Sequence, residues 1–314
     1  MAPQSQRKYC KRTAKKSCFI ILIITTSFLL LDVHFSPAQE VLHNEQTDKE
    51  ITRAFHEIYN FRFDSAQQII NHAETNPENS AWYYFASSNI NLWKIFGGSL
   101  KSKQEPLFNK NLEYLLENCE ALHNDKEKQF LLIMYYTYKT RLSMSRKEYI
   151  EAFKAIRQYY SLLDPVFKNQ DYPPYRLING LYLYLFDHAR ENYMLFRPFL
   201  LFYKQGDAQK GLEHLEKASE NPHMIISTEA CYFLMKIYYD MEEDPCQALP
   251  YARKLYSKYP GNFIFNYYYH KIKSELHPFY YIDINMEKNR VLKHSCLSTV
   301  QQNYFEFLLR FRYP

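Results

Sequence analysis

Apolar residues recur at helical spacing along nearly the whole chain from Thr47 onward, and short polar or proline-bearing segments interrupt them. Recurrence at positions i, i+3, i+4 and i+7 is typical of an amphipathic helix that packs one face on a core. The body of the chain is therefore expected to be all-α. We predict helices at residues 48–59, 64–74, 80–96, 106–123, 125–142, 148–163, 175–186, 191–204, 208–219, 228–241, 246–258, 263–276 and 288–311, and one extended segment at 278–284.

Capping residues support several of these boundaries. Asp64 with Gln67, and Ser145 with Glu148, have the spacing of capping boxes that open a helix. Asp125 is a candidate cap for the long aromatic helix that follows it, and Pro106 fits the first turn of the preceding one. Gly97 and Gly98 are expected to stop a helix, because glycine adopts a left-handed cap without strain.

Three of the predicted helices share one pattern of small, large and proline positions. A small residue allows two helices to cross closely, a large residue fills the next gap, and a proline ends the hairpin. The proline of the third copy comes one residue late. The matching residues are Ala66, Ile70, Ala73, Asn76 and Pro77; Gly211, Leu215, Ala218, Asn221 and Pro222; and Ala248, Ala252, Leu255 and Pro260.

This pattern resembles the second helix of tetratricopeptide repeats, in which a small residue precedes a proline by about twelve positions. Ala248 and Pro260 match it, and Tyr239 lies where that family has an aromatic residue. Other positions depart from the family, since Glu57 replaces an aromatic residue and Lys236 a small one. The resemblance implies a right-handed α-solenoid of stacked antiparallel helix hairpins over residues 39–314. The alternative is a nonrepetitive helical domain.

A proline-rich stretch at residues 164–174 is a possible subdomain seam. Apolar residues remain frequent on both sides of it. A core that continues past this stretch is therefore expected, rather than two independent domains.

The N-terminus has the order of a secretory signal peptide. Basic residues from Arg7 to Lys16 precede the apolar run Cys18–Leu31, and Ser36 and Ala38 place small residues before a possible cleavage point. Residues 1–38 are thus expected to export the protein to the periplasm or cell envelope. An uncleaved anchor at residues 18–35 and a buried cytosolic helix are the alternatives. A signal followed by degenerate, tyrosine-rich repeats is similar to exported repeat proteins of Gram-negative bacteria.

The charge distribution argues against nucleic acid as a partner. The chain has a formal net charge of +5, but six of its 39 basic residues and one of its 34 acidic residues lie in residues 1–38. Residues 39–314 therefore carry 33 charges of each sign, without the excess of cations that nucleic-acid binding requires. Contact with a membrane is expected only through the N-terminal segment.

No catalytic, metal or cofactor motif stands out in the sequence. His56 and Glu57 begin a zinc-binding pattern, but Asn60 stands where its second histidine would be. The other close histidine pairs, His270 with His277 and His214 with His223, are expected to be structural or solvated. Export would leave four cysteines, which we expect to be buried thiols rather than a disulfide framework: Cys119, Cys231, Cys246 and Cys296.

The 30 tyrosines and 23 phenylalanines form stripes along several predicted helices. Most are expected to pack between repeats, and some could face a concave groove. We therefore expect a noncatalytic module, not an enzyme, that holds another protein or peptide in this groove. The alternative is a helical enzyme or carrier that binds a glycan or lipid in a closed, aromatic-lined pocket. Neither hypothesis identifies ligand-binding residues. The stripes are Trp82–Phe85, Tyr135, Tyr136, Tyr138, Tyr232, Phe233, Tyr238, Tyr239 and Tyr267–Tyr269.

Overall fold

The computed structural model describes residues 41–73, 79–192 and 197–311. These residues form helices joined by turns and contain no β-strand, so the all-α prediction is confirmed for them. The predicted signal peptide lies outside the described residues. The helices are α1 (Glu45–Tyr59), α2 (Phe63–Ala73), α3 (Ser80–Phe96), α4 (Lys101–Asn118), α5 (Asp125–Ser145), α6 (Tyr149–Ser161), α7 (Asp164–Lys168), α8 (Pro173–Asn192), α9 (Arg197–Leu200), α10 (Ala208–Ser219), α11 (Met224–Lys236), α12 (Pro245–Lys258), α13 (Phe263–Leu276), α14 (Ile284–His294) and α15 (Thr299–Phe311).

Helices that follow one another in sequence pack against one another in space. The main pairs are α1 with α2, α3 with α4, α5 with α6, α8 with α10, and α11 with α12. Further contacts, such as α2 with α3, α10 with α11 and α12 with α13, join each pair to the next. The proline-rich stretch 164–174 lies against the same core, because Val166 and Tyr172 are both buried.

The small residues of the repeated pattern lie where helices cross closely. Ala66 and Ala248 are fully buried, and Gly211 faces α8. A Cβ atom on Gly211 would lie 2.6 Å from the backbone nitrogen of Tyr184 and 2.9 Å from the carbonyl oxygen of Gly180. Only a residue without a side chain allows α8 and α10 to approach this closely, as the pattern predicted.

The predicted helix at 191–204 is wrong at both of its ends. Helix α8 continues to Asn192, and only the four residues of α9 are helical between Arg197 and Ala208. Residues 204–207 lie beside α8, and their backbone forms hydrogen bonds with α8. The carbonyl of Lys204 accepts a hydrogen bond from the Tyr182 hydroxyl at 2.6 Å, and the backbone nitrogen of Asp207 donates to the Leu183 carbonyl at 3.1 Å.

The predictions for the C-terminal region also need correction. Residues 278–283 form turns and irregular chain rather than a strand, and Asp283 caps α14 by accepting a hydrogen bond from the Met286 nitrogen. The single helix predicted at 288–311 is two helices, α14 and α15. They separate at Ser295, where the backbone is extended, and the Cys296 nitrogen donates to the Phe61 carbonyl at 3.2 Å.

Several caps differ from those predicted. Helix α2 begins at Phe63, before Asp64, and α5 extends to Ser145, so neither predicted capping box opens its helix. The side chain of Asn124, rather than Asp125, accepts from the first backbone nitrogens of α5.

The turn after α3 agrees with its prediction, and the start of α4 does not. Gly98 has a φ of 79° just beyond the end of α3, as expected for a helix stop. Helix α4 begins at Lys101, which puts Pro106 inside the helix rather than in its first turn.

The hairpin of α1 and α2 contacts the turn between α12 and α13. Asn262, which precedes α13, donates from its side-chain nitrogen to the Tyr59 carbonyl at 2.8 Å, and the Gly261 nitrogen donates to the Asn60 side chain at 3.2 Å. The Phe61 and Phe263 rings lie 4.9 Å apart. The turn between α1 and α2 is therefore held by the turn between α12 and α13.

Candidate protein-binding surface

Helix α1 packs on helices from both halves of the chain. Its Phe55 ring lies 5.6 Å from Phe85 of α3, and the Tyr59 hydroxyl donates to Glu229 of α11 at 2.5 Å. Asp48 lies 3.0 Å from the Nε2 atom of His223, next to α11. Helix α1 therefore covers parts of both α3 and α11.

The sequence of α1 explains this placement. Its apolar side chains lie on one face and are buried, including Ile51, Ala54, Phe55 and Ile58. Polar residues at helical spacing occupy the opposite face and are exposed: Gln46, Lys49, Arg53 and His56. An amphipathic helix laid in an apolar groove is a common mode of peptide recognition, used here within one chain.

The segment before α1 is also fixed. Val41 and Leu42 are buried, and the Tyr172 hydroxyl donates to the Val41 carbonyl at 2.8 Å. The carboxylate of Glu127 accepts from the His43 nitrogen and from the Trp82 indole, both at 2.7 Å. Burial raises the pKa of Glu127 although both hydrogen bonds oppose this effect.

A second acidic group lies at the other end of α1. Burial raises the pKa of Glu229, and the hydrogen bond from Tyr59 and the nearby charge of Arg141 offset only part of the increase. Nearby, the Tyr138 hydroxyl donates to Asn89 at 2.9 Å, and its ring stacks on Phe85. Sequence reasoning missed both Glu229 and Glu127. Glu229 lies within the mostly apolar helix α11, which is a usable signal, whereas Glu127 lies in the charged first turn of α5 and gives none.

A band of tyrosines and lysines continues from this cluster along α11 and α13. We define this tyrosine–lysine band as Tyr232, Lys236, Tyr239, Tyr268 and Lys271, all of which are half-buried. The Lys236 amine donates to the Tyr268 hydroxyl at 2.6 Å, and the Tyr239 and Tyr268 rings meet edge to face at 6.2 Å. The Lys271 amine lies 4.7 Å from the centre of the Tyr239 ring. Cations over aromatic rings stabilise this arrangement.

The band begins next to the core around α1. The Tyr232 ring lies 5.9 Å from Trp93, which in turn meets Tyr59 edge to face at 5.9 Å. Burial disfavours the charge on Lys236, but its hydrogen bonds to Asp240 and Tyr268, together with the electrostatic influence of Tyr268 and Tyr232, raise its pKa. Lys236 is held in place by its ion pair with Asp240.

A widened helical turn contains one residue of the band, Tyr239. Residues Ile237–Met241 form a π-helical turn, and Glu243 just beyond has a φ of 51°. Such turns are frequent at functional sites because the extra residue redirects side chains.

The predicted aromatic stripes contribute to packing: six of their fourteen residues are buried, and the other eight are partly buried against the core. The buried ones are Trp82, Tyr83, Phe85, Tyr135, Tyr138 and Tyr267. The side chains that are left partly accessible include Tyr84, Tyr136, Tyr232, Phe233, Tyr238, Tyr239, Tyr268 and Tyr269.

The histidines hold helices together or lie at the surface. His270 is buried between Tyr280, whose hydroxyl is 2.7 Å from Nδ1, and Glu287, whose Oε2 is 3.4 Å from Nε2. Although burial opposes ionisation of Glu287, hydrogen bonds from His270, Asn266 and Tyr256 lower its pKa. This network joins α14 to α13.

The predicted histidine pairs do not form metal sites in the described part of the chain. His277 is exposed beyond the end of α13, and His223 pairs with Asp48 rather than with His214. Among the described residues, no group of three metal-ligating side chains comes together.

The cysteines divide into two classes. Cys119 and Cys231 are buried thiols, as expected, and burial raises the pKa of Cys119 to about 12. Cys246 and Cys296 are exposed, so the expectation of burial is wrong for them. Each lies at or near the start of a helix, on the surface rather than on a packed face.

Comparisons of this chain with protein-family models, with curated proteins and with solved structures found no match. Within the described ranges, no helix combines the length and apolarity needed to cross a bilayer.

Proposed function

We propose that this protein is a noncatalytic protein-interaction module whose partner, a protein or peptide, binds the tyrosine–lysine band beside α1. The observation that carries this proposal is the band itself, a row of half-buried aromatic and cationic side chains next to the core around α1. Tyrosine suits such a surface because its ring gives contact area at small entropic cost and its hydroxyl forms hydrogen bonds.

The proposed architecture is a degenerate right-handed α-solenoid of the tetratricopeptide type. The close crossing at Gly211 and the sequential packing of helix pairs support it. The proposed location is the periplasm or cell envelope of a bacterium, supported by the signal-like order of residues 1–38.

Affinity capture followed by substitution tests this function. The tagged protein is incubated with an envelope extract, and a partner recovered in stoichiometric amount is purified and its dissociation constant measured. Tyr239→Ala combined with Tyr268→Ala should weaken binding by about tenfold or more, because buried aromatic anchors dominate interface energy.

The matched control is Tyr149→Ala, which removes an exposed tyrosine on α6, away from the band. Binding should be unchanged in this variant. Equal affinity of the band variant and the unchanged protein would contradict the proposed surface. Recovery of no stoichiometric partner would count against the function as a whole.

A further inference from the structure

Two adjacent apolar side chains are almost fully exposed in the turn that follows α9. Leu201 is 82 % exposed and Phe202 85 %. They belong to the run 198–203, which reads Pro-Phe-Leu-Leu-Phe-Tyr, whereas surface turns are usually rich in Gly, Asn, Asp and Ser. Large apolar groups side by side in water are unfavourable, so we expect a partner that covers this pair.

The backbone next to the exposed pair is anchored to neighbouring helices. The Lys204 nitrogen donates to the Tyr160 hydroxyl at 2.9 Å, and the Lys204 carbonyl accepts from the Tyr182 hydroxyl at 2.6 Å. The Tyr160 and Tyr203 rings meet edge to face at 4.5 Å, and both are half-buried. The chain is therefore fixed two residues after Phe202, and the exposed pair projects from an anchored turn.

Basic side chains lie beside this turn. An open depression of about 560 Å³ includes Leu201 in its lining, together with Arg190, Arg197 and Lys204. The Arg197 guanidinium donates to the backbone carbonyls of Arg190 and Glu191 at 2.7 and 3.1 Å. These bonds hold the Arg197 side chain at the end of α8, on the same surface as Leu201.

The charge of this surface is positive. Arg190 forms an ion pair with Asp187 at 2.5 Å, which neutralises it. In the described part of the chain, Arg197 bonds to carbonyl groups, and the Lys204 amine lies 3.9 Å from the centre of an aromatic ring rather than beside an acid. Among the described residues that line the depression, these two cations are opposed by one acid, Glu191.

An anionic lipid surface complements each part of this arrangement. Leucine and phenylalanine side chains enter the boundary between headgroups and acyl chains, and tyrosines lie at the depth of the headgroups. Lysine and arginine are attracted to anionic headgroups and bury their apolar stems while the charge stays at the surface. The outermost apolar pair, the half-buried tyrosines behind it and the cations at its side follow this order.

We propose that the turn Leu200–Tyr203 binds the surface of a bilayer that contains anionic phospholipid. Leu201 and Phe202 insert between the headgroups, and Arg197 and Lys204 bind the phosphate groups. This contact is additional to the N-terminal one expected from the sequence. It uses no residue of the tyrosine–lysine band and does not depend on the function proposed for that band.

Phe202→Trp places a fluorescent reporter at the tip of the turn. The chain has two native tryptophans, Trp82 and Trp93, and both are buried, so their emission is a constant background. The full-length variant is mixed with vesicles of phosphatidylglycerol and phosphatidylcholine whose acyl chains carry bromine, a contact quencher. We expect the reporter emission to shift to the blue and to fall by roughly half, because the side chain enters the acyl boundary.

Phe279→Trp is the matched control, since Phe279 is fully exposed in the turn before α14, outside the proposed contact. Its emission should change little, even where the N-terminal segment holds the chain on the vesicle. Absence of quenching in Phe202→Trp, or equal quenching in both variants, overturns the site. A blue shift of Phe202→Trp that grows with protein concentration without vesicles would show that a second copy covers the pair, and overturns the lipid assignment.

Lys204→Gln in the Phe202→Trp background tests the cations. It removes an exposed charge and should weaken partitioning onto the anionic vesicles by about fivefold, the effect of one cation near an anionic surface. Lys110→Gln removes another exposed lysine beside an aromatic ring, on α4, and should leave partitioning unchanged. Unchanged partitioning of Lys204→Gln, or equal quenching by vesicles of phosphatidylcholine alone, overturns the preference for anionic lipid.

Discussion

At the scale of single residues, tyrosine hydroxyls bonded to glutamates on other helices are a recurring device. The Tyr59 hydroxyl donates to Glu229, that of Tyr83 to Glu50, and that of Tyr256 to Glu287, at 2.5 to 3.0 Å. The Tyr59 and Tyr83 rings are buried in the core, and the Tyr256 ring stacks on Tyr269, while each hydroxyl reaches an acid. This arrangement gives a physical reason for the large number of tyrosines in a helical protein.

Glu229 should make stability depend on pH. Its pKa is raised in the folded state, so as pH rises above the usual carboxyl range the folded protein gives up a proton that the unfolded chain has already lost. The free energy of unfolding should therefore fall as pH rises through the raised pKa. Glu229→Gln, which keeps an acceptor for the Tyr59 hydroxyl, should lack this decrease.

Urea unfolding of both proteins at about pH 5 and about pH 8 checks this effect. The free energy of unfolding of Glu229→Gln, relative to that of the unchanged protein, should be higher at about pH 8 than at about pH 5. Glu213→Gln, on the exposed side of α10, controls for the loss of one charge. Parallel pH profiles for Glu229→Gln and the unchanged protein would contradict the role assigned to this carboxyl.

At the scale of elements, the presence of most helices could be predicted from the sequence, but several of their start and end residues could not. The spacing of apolar residues follows from the geometry of the helix itself and needs no knowledge of its neighbours. The bounds of α3, α10 and α13 were therefore predicted closely. Residues 201–207 are different, because Tyr182 and Leu183 of α8 form hydrogen bonds with the backbone of Lys204 and Asp207, and this segment is not helical. Such bonds depend on a neighbour in space and leave no periodic trace in the sequence.

The crossing of α8 and α10 should tolerate no side chain at position 211. Gly211→Ala places a Cβ atom 2.6 Å from the Tyr184 nitrogen, so the helices must separate. We expect a loss of about 2 kcal/mol in the free energy of unfolding, which is typical of overpacking. Gln209→Ala, at an exposed position of the same helix, is the control and should change stability by much less.

Urea denaturation of both variants measures this difference. Equal stability of Gly211→Ala and the unchanged protein would show that α8 and α10 do not cross as closely as described. That result would also weaken the comparison of Gly211 with Ala66 and Ala248.

At the scale of the whole molecule, the hairpin of α1 and α2 is held by the turn between α12 and α13. Asn262 is fully buried and acts in two ways: its Oδ1 atom caps α13, and its Nδ2 atom donates to the Tyr59 carbonyl. Helix α1 also contacts α3 and α11. The position of α1 is therefore decided by residues some 200 positions away in sequence.

Asn262→Asp separates the two roles of this residue. The carboxylate keeps the cap of α13 but cannot donate to the Tyr59 carbonyl, so the contact between the two turns is lost. We expect the free energy of unfolding to fall by about 1–3 kcal/mol, the cost of an unpaired buried group. Hydrogen exchange of the α1 amides should speed up more than that of α8.

The control is Asn44→Asp, the same substitution at the exposed cap of α1, where the side chain only accepts from the Thr47 nitrogen. It should leave stability nearly unchanged. If hydrogen exchange in Asn262→Asp speeds up equally in α1 and α8, the contact does not anchor α1.

The amino-acid sequence by itself determined that the body is helical, that its charge is balanced and that Ala66, Gly211 and Ala248 are small for a steric reason, because these properties are local or additive. The capping box of Ser298 and Gln301 at the start of α15 was also visible in it and was missed. Tertiary structure decided which helix packs against both α3 and α11 and which tyrosines stay accessible. Those features arise from contacts between distant segments, and one sequence does not show which distant segments will touch.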